Sequence, residues 1–187
     1  MVRRVMGLSR CQFSAFRASL HNYPLSQGNA TLSKPIDLSA SPLLARLMIY
    51  WQEKRQGRAM PSRNDIDPLD VPYILGNIAL VDVVPPAAKG AVPSFRFRLY
   101  GANLAQRLGG DMTGKRPSDH PDSLLAEMMN QTYGQVVKTH MPGIHQRYLL
   151  GASEQVLKYL VLILPLSREG KDVDMLLVAV DFDAAIE

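Results

Sequence analysis

At Asn77 the apolar spacing of the chain changes from that of a helix to that of a strand, and the alternation of the two patterns along the chain confines it to a mixed fold. Ahead of the switch, Leu43, Leu47 and Trp51 recur at i, i+4 and i+8, joined on the same side by Leu44 and Met48. Ser41 offers a capping oxygen, Pro42 suits the first helical position and Gly57 offers a stop, so a helix with one buried face is expected there. The run Pro61-Ser62-Arg63-Asn64-Asp65-Ile66-Asp67-Pro68 reads as a structured turn feeding a second short helix, with Asp67 as its N-cap, Pro68 at its first position and Asp70 near its positive end. Beyond the switch, residues 77–84 are rich in β-branched side chains, and 95–100 alternate apolar with polar after a loop marked by Pro85, Pro86, Gly90 and Pro93. Two antiparallel strands are expected, with Phe95, Phe97 and Leu99 on one face and Arg96 and Arg98 on the other.

Short helical turns follow over 103–108, broken by Gly109-Gly110. A longer helix is expected over 122–138, its stripe made by Leu124, Leu125, Met128, Met129, Thr132 and Val136. Gly134 weakens its last turn, and Met141-Pro142-Gly143 ends it. Three strands complete the chain at about 144–150, 155–164 and 174–182, and the polar loop Ser167-Arg168-Glu169-Gly170-Lys171 makes the last two a hairpin. The expected fold is therefore α+β, organised as a leader over 1–40, a helical extension over 41–76 and a core over 77–187.

Charge divides along the same lines. The chain of 187 residues carries a formal net charge of +4, yet Arg3, Arg4, Arg10, Arg17 and Lys34 supply five of its 21 basic residues with no acid among residues 1–36. The remaining 16 basic residues face 17 acidic ones, so the core is close to neutral and has no basic stripe for nucleic acid. The leader's composition resembles an organellar transit peptide; the preferred reading is a flexible arm. Cys11 is the single cysteine, which excludes an intrachain disulfide and points to a reducing, cytoplasmic setting. The longest apolar stretch, 159–164, is far short of the roughly 20 residues that span a bilayer.

Two strings then point to a family. Phe97-Arg98-Leu99-Tyr100-Gly101-Ala102-Asn103-Leu104, followed by Leu108-Gly109-Gly110-Asp111-Met112-Thr113-Gly114-Lys115, resembles the PAS segment in which a strand leads through a short helix and a glycine turn to another short helix. Leu164-Pro165-Leu166-Ser167-Arg168-Glu169-Gly170 resembles the hairpin between the last two PAS strands. Tyr50-Trp51, Pro61-Ser62-Arg63 and Asp65-Ile66-Asp67-Pro68 narrow the resemblance to stand-alone PAS proteins typical of alphaproteobacteria, over about 43–182. This resemblance implies a five-stranded antiparallel sheet with helices packed on one face, here with two N-terminal helices added, and a sensory or interaction role.

No site for catalysis emerges. The four histidines sit in no hydrolase context, no G-x-S-x-G elbow exists, and the glycines form no phosphate loop. The expected function is a non-enzymatic sensory or regulatory module that binds a small apolar ligand or a protein partner; the alternative is a constitutive adaptor with a filled core. Tyr100, Leu104, Leu108, Met112, Met128, Met129, Tyr133 and Tyr148 are the candidate cavity residues, because thioethers adapt to a ligand and tyrosines add a polar tip. Leu43, Leu47 and Trp51 are candidates for a homodimer contact, besides contact with an unidentified signalling protein. No cofactor is preferred; if haem were held, as in some PAS domains, His120, His140 or His145 would supply the axial nitrogen. Arg63, Arg96 and Arg98 could form an anion patch, but ion pairs with Asp65, Asp67 or Asp70 are the simpler expectation.

Overall fold

Helix α1 (Pro42–Lys54) starts where its sequence says it should, since the Ser41 Oγ accepts from the Leu44 backbone N–H at 3.1 Å and Pro42 opens the first turn. The computed structural model describes residues 38, 40–86, 92–150 and 156–184, so nearly all of the leader expected over 1–40 lies outside the described residues. The Ser41 hydroxyl also donates a 2.6 Å hydrogen bond to the buried Asp181 carboxylate, 140 residues away, which ties the helix to the last strand.

The second helix expected after α1 is instead three 3-10 turns, Arg63–Asp65, Pro68–Asp70 and Pro72–Asn77. Prolines at 61, 68 and 72 remove donors and push the residues before them out of helical geometry, so no α-helix can propagate. Asp67 does cap its turn, accepting from the Leu69 N–H at 2.9 Å.

Five strands follow: β1 (Ile78–Val84), β2 (Ser94–Tyr100), β3 (Gly143–Leu150), β4 (Val156–Leu166) and β5 (Met175–Asp181). They form one sheet in the order β2-β1-β5-β4-β3, antiparallel at every pairing. Helices α2 (Ala102–Arg107) and α3 (Ser123–Thr139) lie between β2 and β3 in sequence. Asp122 caps α3 by accepting from Leu124 and Leu125 N–H at 2.9 and 3.1 Å, and the helix runs through Gly134 to a left-handed His140 (φ 58°).

The strand faces divide the helices. Val178 and Val180 of β5 share a face with Val161 of β4 beneath α2 and α3. By alternation Ala179 and Asp181 face the other way, where Ser41 and α1 meet them. Leu44 and Leu47 are fully buried on that second face, so β4 and β5 are sandwiched between layers and β5 is buried along its whole length. The helices thus cover both faces of the sheet: α2 and α3 on one, α1 on the other.

Candidate functional site

A small cavity of about 30 Å³ lies between the sheet and its helical cover. Every strand lines it, through Ala79 (β1), Phe97 and Tyr100 (β2), Arg147 (β3), Tyr159 and Val161 (β4), and Val178 and Val180 (β5). Leu104 and Leu108 close it from α2 and its C-terminal end, and Leu125, Met129 and Tyr133 close it from α3.

Tyr100 reaches the cavity because of a defect in the ladder. Leu80 pairs with Leu99 but Val81 pairs with Phe97, so β2 carries one extra residue and its alternation slips. Phe95 and Phe97 point inward as expected, whereas Leu99, expected beside them, is 41% exposed and Tyr100 takes the inward position. The Tyr100 ring meets Phe97 edge to face at 5.1 Å between centroids, and Tyr133 meets Phe95 in the same way at 5.4 Å.

The polar content of the cavity is concentrated in few groups. Arg147, 3% exposed, donates from Nη2 to the Thr132 Oγ1 at 2.8 Å and to the Met128 carbonyl at 3.4 Å, linking β3 to α3. Among the described residues its Nε has no partner, and neither has the Tyr100 hydroxyl. Among the described residues no carboxylate pairs with this guanidinium, and burial pulls its pKa down. Burial first, then neighbouring tyrosines, pushes Tyr100 up; burial likewise raises Tyr133, and takes Tyr159 to about 12. All three phenols therefore stay neutral at ordinary pH, and among the described residues Arg147 is the one charged group lining the cavity.

With the strand order, the helices between β2 and β3 and the cavity beneath them in place, a family model described as a PAS domain matches residues 39–180. The chain belongs to the PAS domain family. The match takes in α1 together with the sheet. Among solved structures the chain is similar to the PAS domain of BvgS from Bordetella pertussis, at 13% identity over 73% of this chain and 85% of that one, with a TM-score of 0.42. It is also similar to a fungal LOV domain photoreceptor, at 13% identity over 80% and 99% with a TM-score of 0.41. For the PAS domain of an HTR-like protein from Haloarcula marismortui the values are 16%, 55%, 79% and 0.32. No curated protein matches the sequence. PAS domains are generally sensory and signalling modules rather than catalysts, and no helix among the described residues is long and apolar enough to cross a membrane.

Within this PAS fold the sequence candidates are distributed unevenly. Tyr100, Leu104, Leu108, Met129 and Tyr133 come together around the cavity. Met112 is buried outside its lining, Met128 is half-buried and contributes only its carbonyl to Arg147, and Tyr148 alternates away from Arg147 and bonds Gln146. Arg147 and Tyr159, opposite each other on β3 and β4, were legible only as strand residues. Polar side chains occur on both faces of β3, at His145 and Arg147 and at Gln146 between them, so alternation alone does not tell which side is inward.

The other expectations change as well. Leu47 and Trp51 are buried within the chain against the second sheet face and Leu43 is half-buried beside them, so the apolar stripe proposed for a dimer contact is occupied internally. His120 is buried with Nε2 2.7 Å from the Leu108 carbonyl and Nδ1 accepting from the Asp122 N–H at 3.0 Å, which commits both ring nitrogens to the fold. His140 is the exposed cap of α3, and His145 does not line the cavity, whose volume of about 30 Å³ is far too small for a porphyrin. Among the described residues Arg98 alone of the three arginines forms an ion pair, with Asp82 at 2.8 Å rather than with the aspartates expected. Arg63 donates to the Ile66 carbonyl and Arg96 to the Gly114 carbonyl, while Asp65 pairs with Arg58 and Asp70 with Lys54.

His145 provides a pH test of this region. Burial, then the Arg147 charge, pushes its imidazole from 6.5 down to about 4. The unfolded chain therefore takes up this proton at a higher pH than the folded one. The contribution to stability is complete above about pH 6.5 and is lost as the pH falls toward 4. With a discount for the ring's partial exposure, about 2 kcal/mol is expected to disappear across that window. Urea denaturation at pH 7 and 4.5 reads it, and His145→Gln should flatten the difference; an equal slope in the variant would place the titration elsewhere.

Proposed function

We propose that this PAS domain is a non-enzymatic, cytoplasmic regulatory module whose signal is the occupancy of the cavity under α3 by a small molecule. The observation that supports this most is the pairing of an apolar cavity with two buried polar groups on its lining residues that have no partner among the described residues, Arg147 Nε and the Tyr100 hydroxyl. Buried polar groups are normally satisfied, and exceptions concentrate where a ligand or a bound water completes them. Because Arg147 holds α3 through Thr132 and Met128, a molecule that engaged its guanidinium would pull on the helix directly. Output then passes by contact to another chain, a second copy or a signalling protein. The strings around Tyr50-Trp51 and Asp65-Ile66-Asp67-Pro68 support placing the chain with the alphaproteobacterial PAS proteins in which the domain stands alone.

A constitutive adaptor is the competing reading, and the cavity's size favours it: about 30 Å³ holds roughly two waters, against several hundred Å³ for pockets that take drug-sized ligands. Native mass spectrometry and hydrogen exchange of the full chain, with and without a panel of alcohols, amides and acids of two to four carbons, separate the two. A sensor gains protection across Ser123–Thr139 with at least one compound, whereas an adaptor retains none and exchanges identically throughout.

A further inference from the structure

We propose that Arg147 and Tyr100 form the seat for the head group of a short-chain monocarboxylate, the alkyl tail lying against Leu104, Met129, Val161 and Val180. This rests on the cavity being a ligand site and names the chemical class it takes.

Charge comes first. A guanidinium enclosed in protein without a counter-ion is costly, and the usual remedy is a carboxylate arranged to accept more than one of its N–H groups. Here Nη2 is held by Thr132 and the Met128 carbonyl, neither of them an anion, while Nε has no partner among the described residues. Among the described residues no carboxylate pairs with Arg147; burial pulls its pKa down, and the phenols of Tyr159 and Tyr133 act in the opposite direction. His145, on the same face of β3, is held neutral and brings neither a competing cation nor an anion.

The second polar group fixes the number of charges. Tyr100 lines the same cavity, its buried hydroxyl has no partner among the described residues, and burial keeps it protonated, so it offers one further donor. One cation with one neutral donor suits a monoanion; a phosphate dianion would leave oxygens and charge unmatched. The walls fix the rest. Leu104, Met129, Val161 and Val180 present only carbon and a thioether, which favours an alkyl tail, and about 30 Å³, room for roughly two waters, admits only the shortest acids and requires α3 to give way as they enter.

The full-length chain is titrated with sodium acetate, propionate and butyrate by calorimetry and thermal denaturation, with sodium chloride at matched ionic strength and with 1-propanol and propionamide as uncharged analogues. The expected result is a saturable carboxylate effect absent with chloride, abolished in Arg147→Met and weakened about tenfold or more in Tyr100→Phe, which loses a hydrogen bond to a charged group. Ligand-free Arg147→Met should match or exceed the parent's melting temperature, since an unpaired buried charge is removed. Should that variant fail to fold, Arg147 is a strut between β3 and α3, and undiminished binding by Tyr100→Phe then overturns the proposal. Binding of 1-propanol or propionamide as tightly as propionate, retained in Arg147→Met, overturns the carboxylate while leaving the cavity as a ligand site. A chain that responds to none of the compounds overturns both.

Discussion

Gly101→Ala is expected to leave little folded protein. A Cβ at Gly101 would sit 2.3 Å from the Gly76 carbonyl oxygen, 2.7 Å from its carbon and 2.8 Å from the Ile78 carbonyl oxygen, all backbone atoms. No side chain can swing aside to relieve such contacts, and the backbone is fixed from both directions. Gly101 N–H donates to the Ile78 carbonyl at 2.9 Å, and its own carbonyl accepts from Ala105 at 3.0 Å to start α2. Asn103 and Asn77 are bonded across the junction, and Asn77 reaches on to the Val180 carbonyl. Overpacking that must move three joined segments is expected to cost about 4 kcal/mol or more. The loss would be read by urea denaturation from the fluorescence of Trp51, the chain's single tryptophan. Gly134→Ala is the matched control: its Cβ meets nothing within 4 Å on α3, so a gain of about 0.5–1 kcal/mol is expected. Equal stability of the Gly101 variant and the parent would show that the junction is looser than described.

Trp51→Ala carries the second large effect, about 4 kcal/mol by far-UV circular dichroism in urea. Its side chain is 2% exposed, and its Nε1 donates to the Pro165 carbonyl at 3.0 Å. That carbonyl belongs to an unusual position, a proline near the end of β4, which lies inside the sheet and would ordinarily need every donor. The pairing with β3 stops at Gly143 opposite Ile163, two residues earlier, so no neighbouring strand asks for an N–H at Pro165. Trp51 satisfies the carbonyl there, and the Pro61 carbonyl accepts from Ser167 N–H at 2.9 Å one step farther along. The segment after α1 thus continues the sheet edge where β3 ends. Trp51→Phe should recover most of the packing and leave a deficit of about 1–2 kcal/mol for the orphaned carbonyl. A phenylalanine variant as unstable as the alanine one would contradict this division.

The reach of the sequence differs between elements for physical reasons. Helix starts were legible because caps are local: Ser41-Pro42 and Asp122 each bond groups within three residues. The hairpin loop was legible for the same reason, with Gly170 at φ 76°. The inward turn of Tyr100 was not, because a bulge inserts one residue and strict alternation cannot register it. The apolar stripe of α1 is where its spacing puts it, and within the chain it packs against the second face of the sheet. The continuous apolar run 159–164 marks a strand covered on both faces, and α1 is the second cover. Arg147 is not legible as an inward residue because it is charged, and only the third dimension shows it bonded to Thr132 with no carboxylate partner among the described residues.

The central claim, that the cavity beneath α3 is a ligand site, is tested most directly by methyl NMR of the full chain labelled at its methionines during titration with propionate. Met129 lines the cavity, whereas Met112 is buried outside it and serves as an internal reference. The account predicts a saturable shift of the Met129 methyl with that of Met112 unmoved. A Met129 resonance that stays fixed through the titration, or moves only in step with Met112, would contradict it.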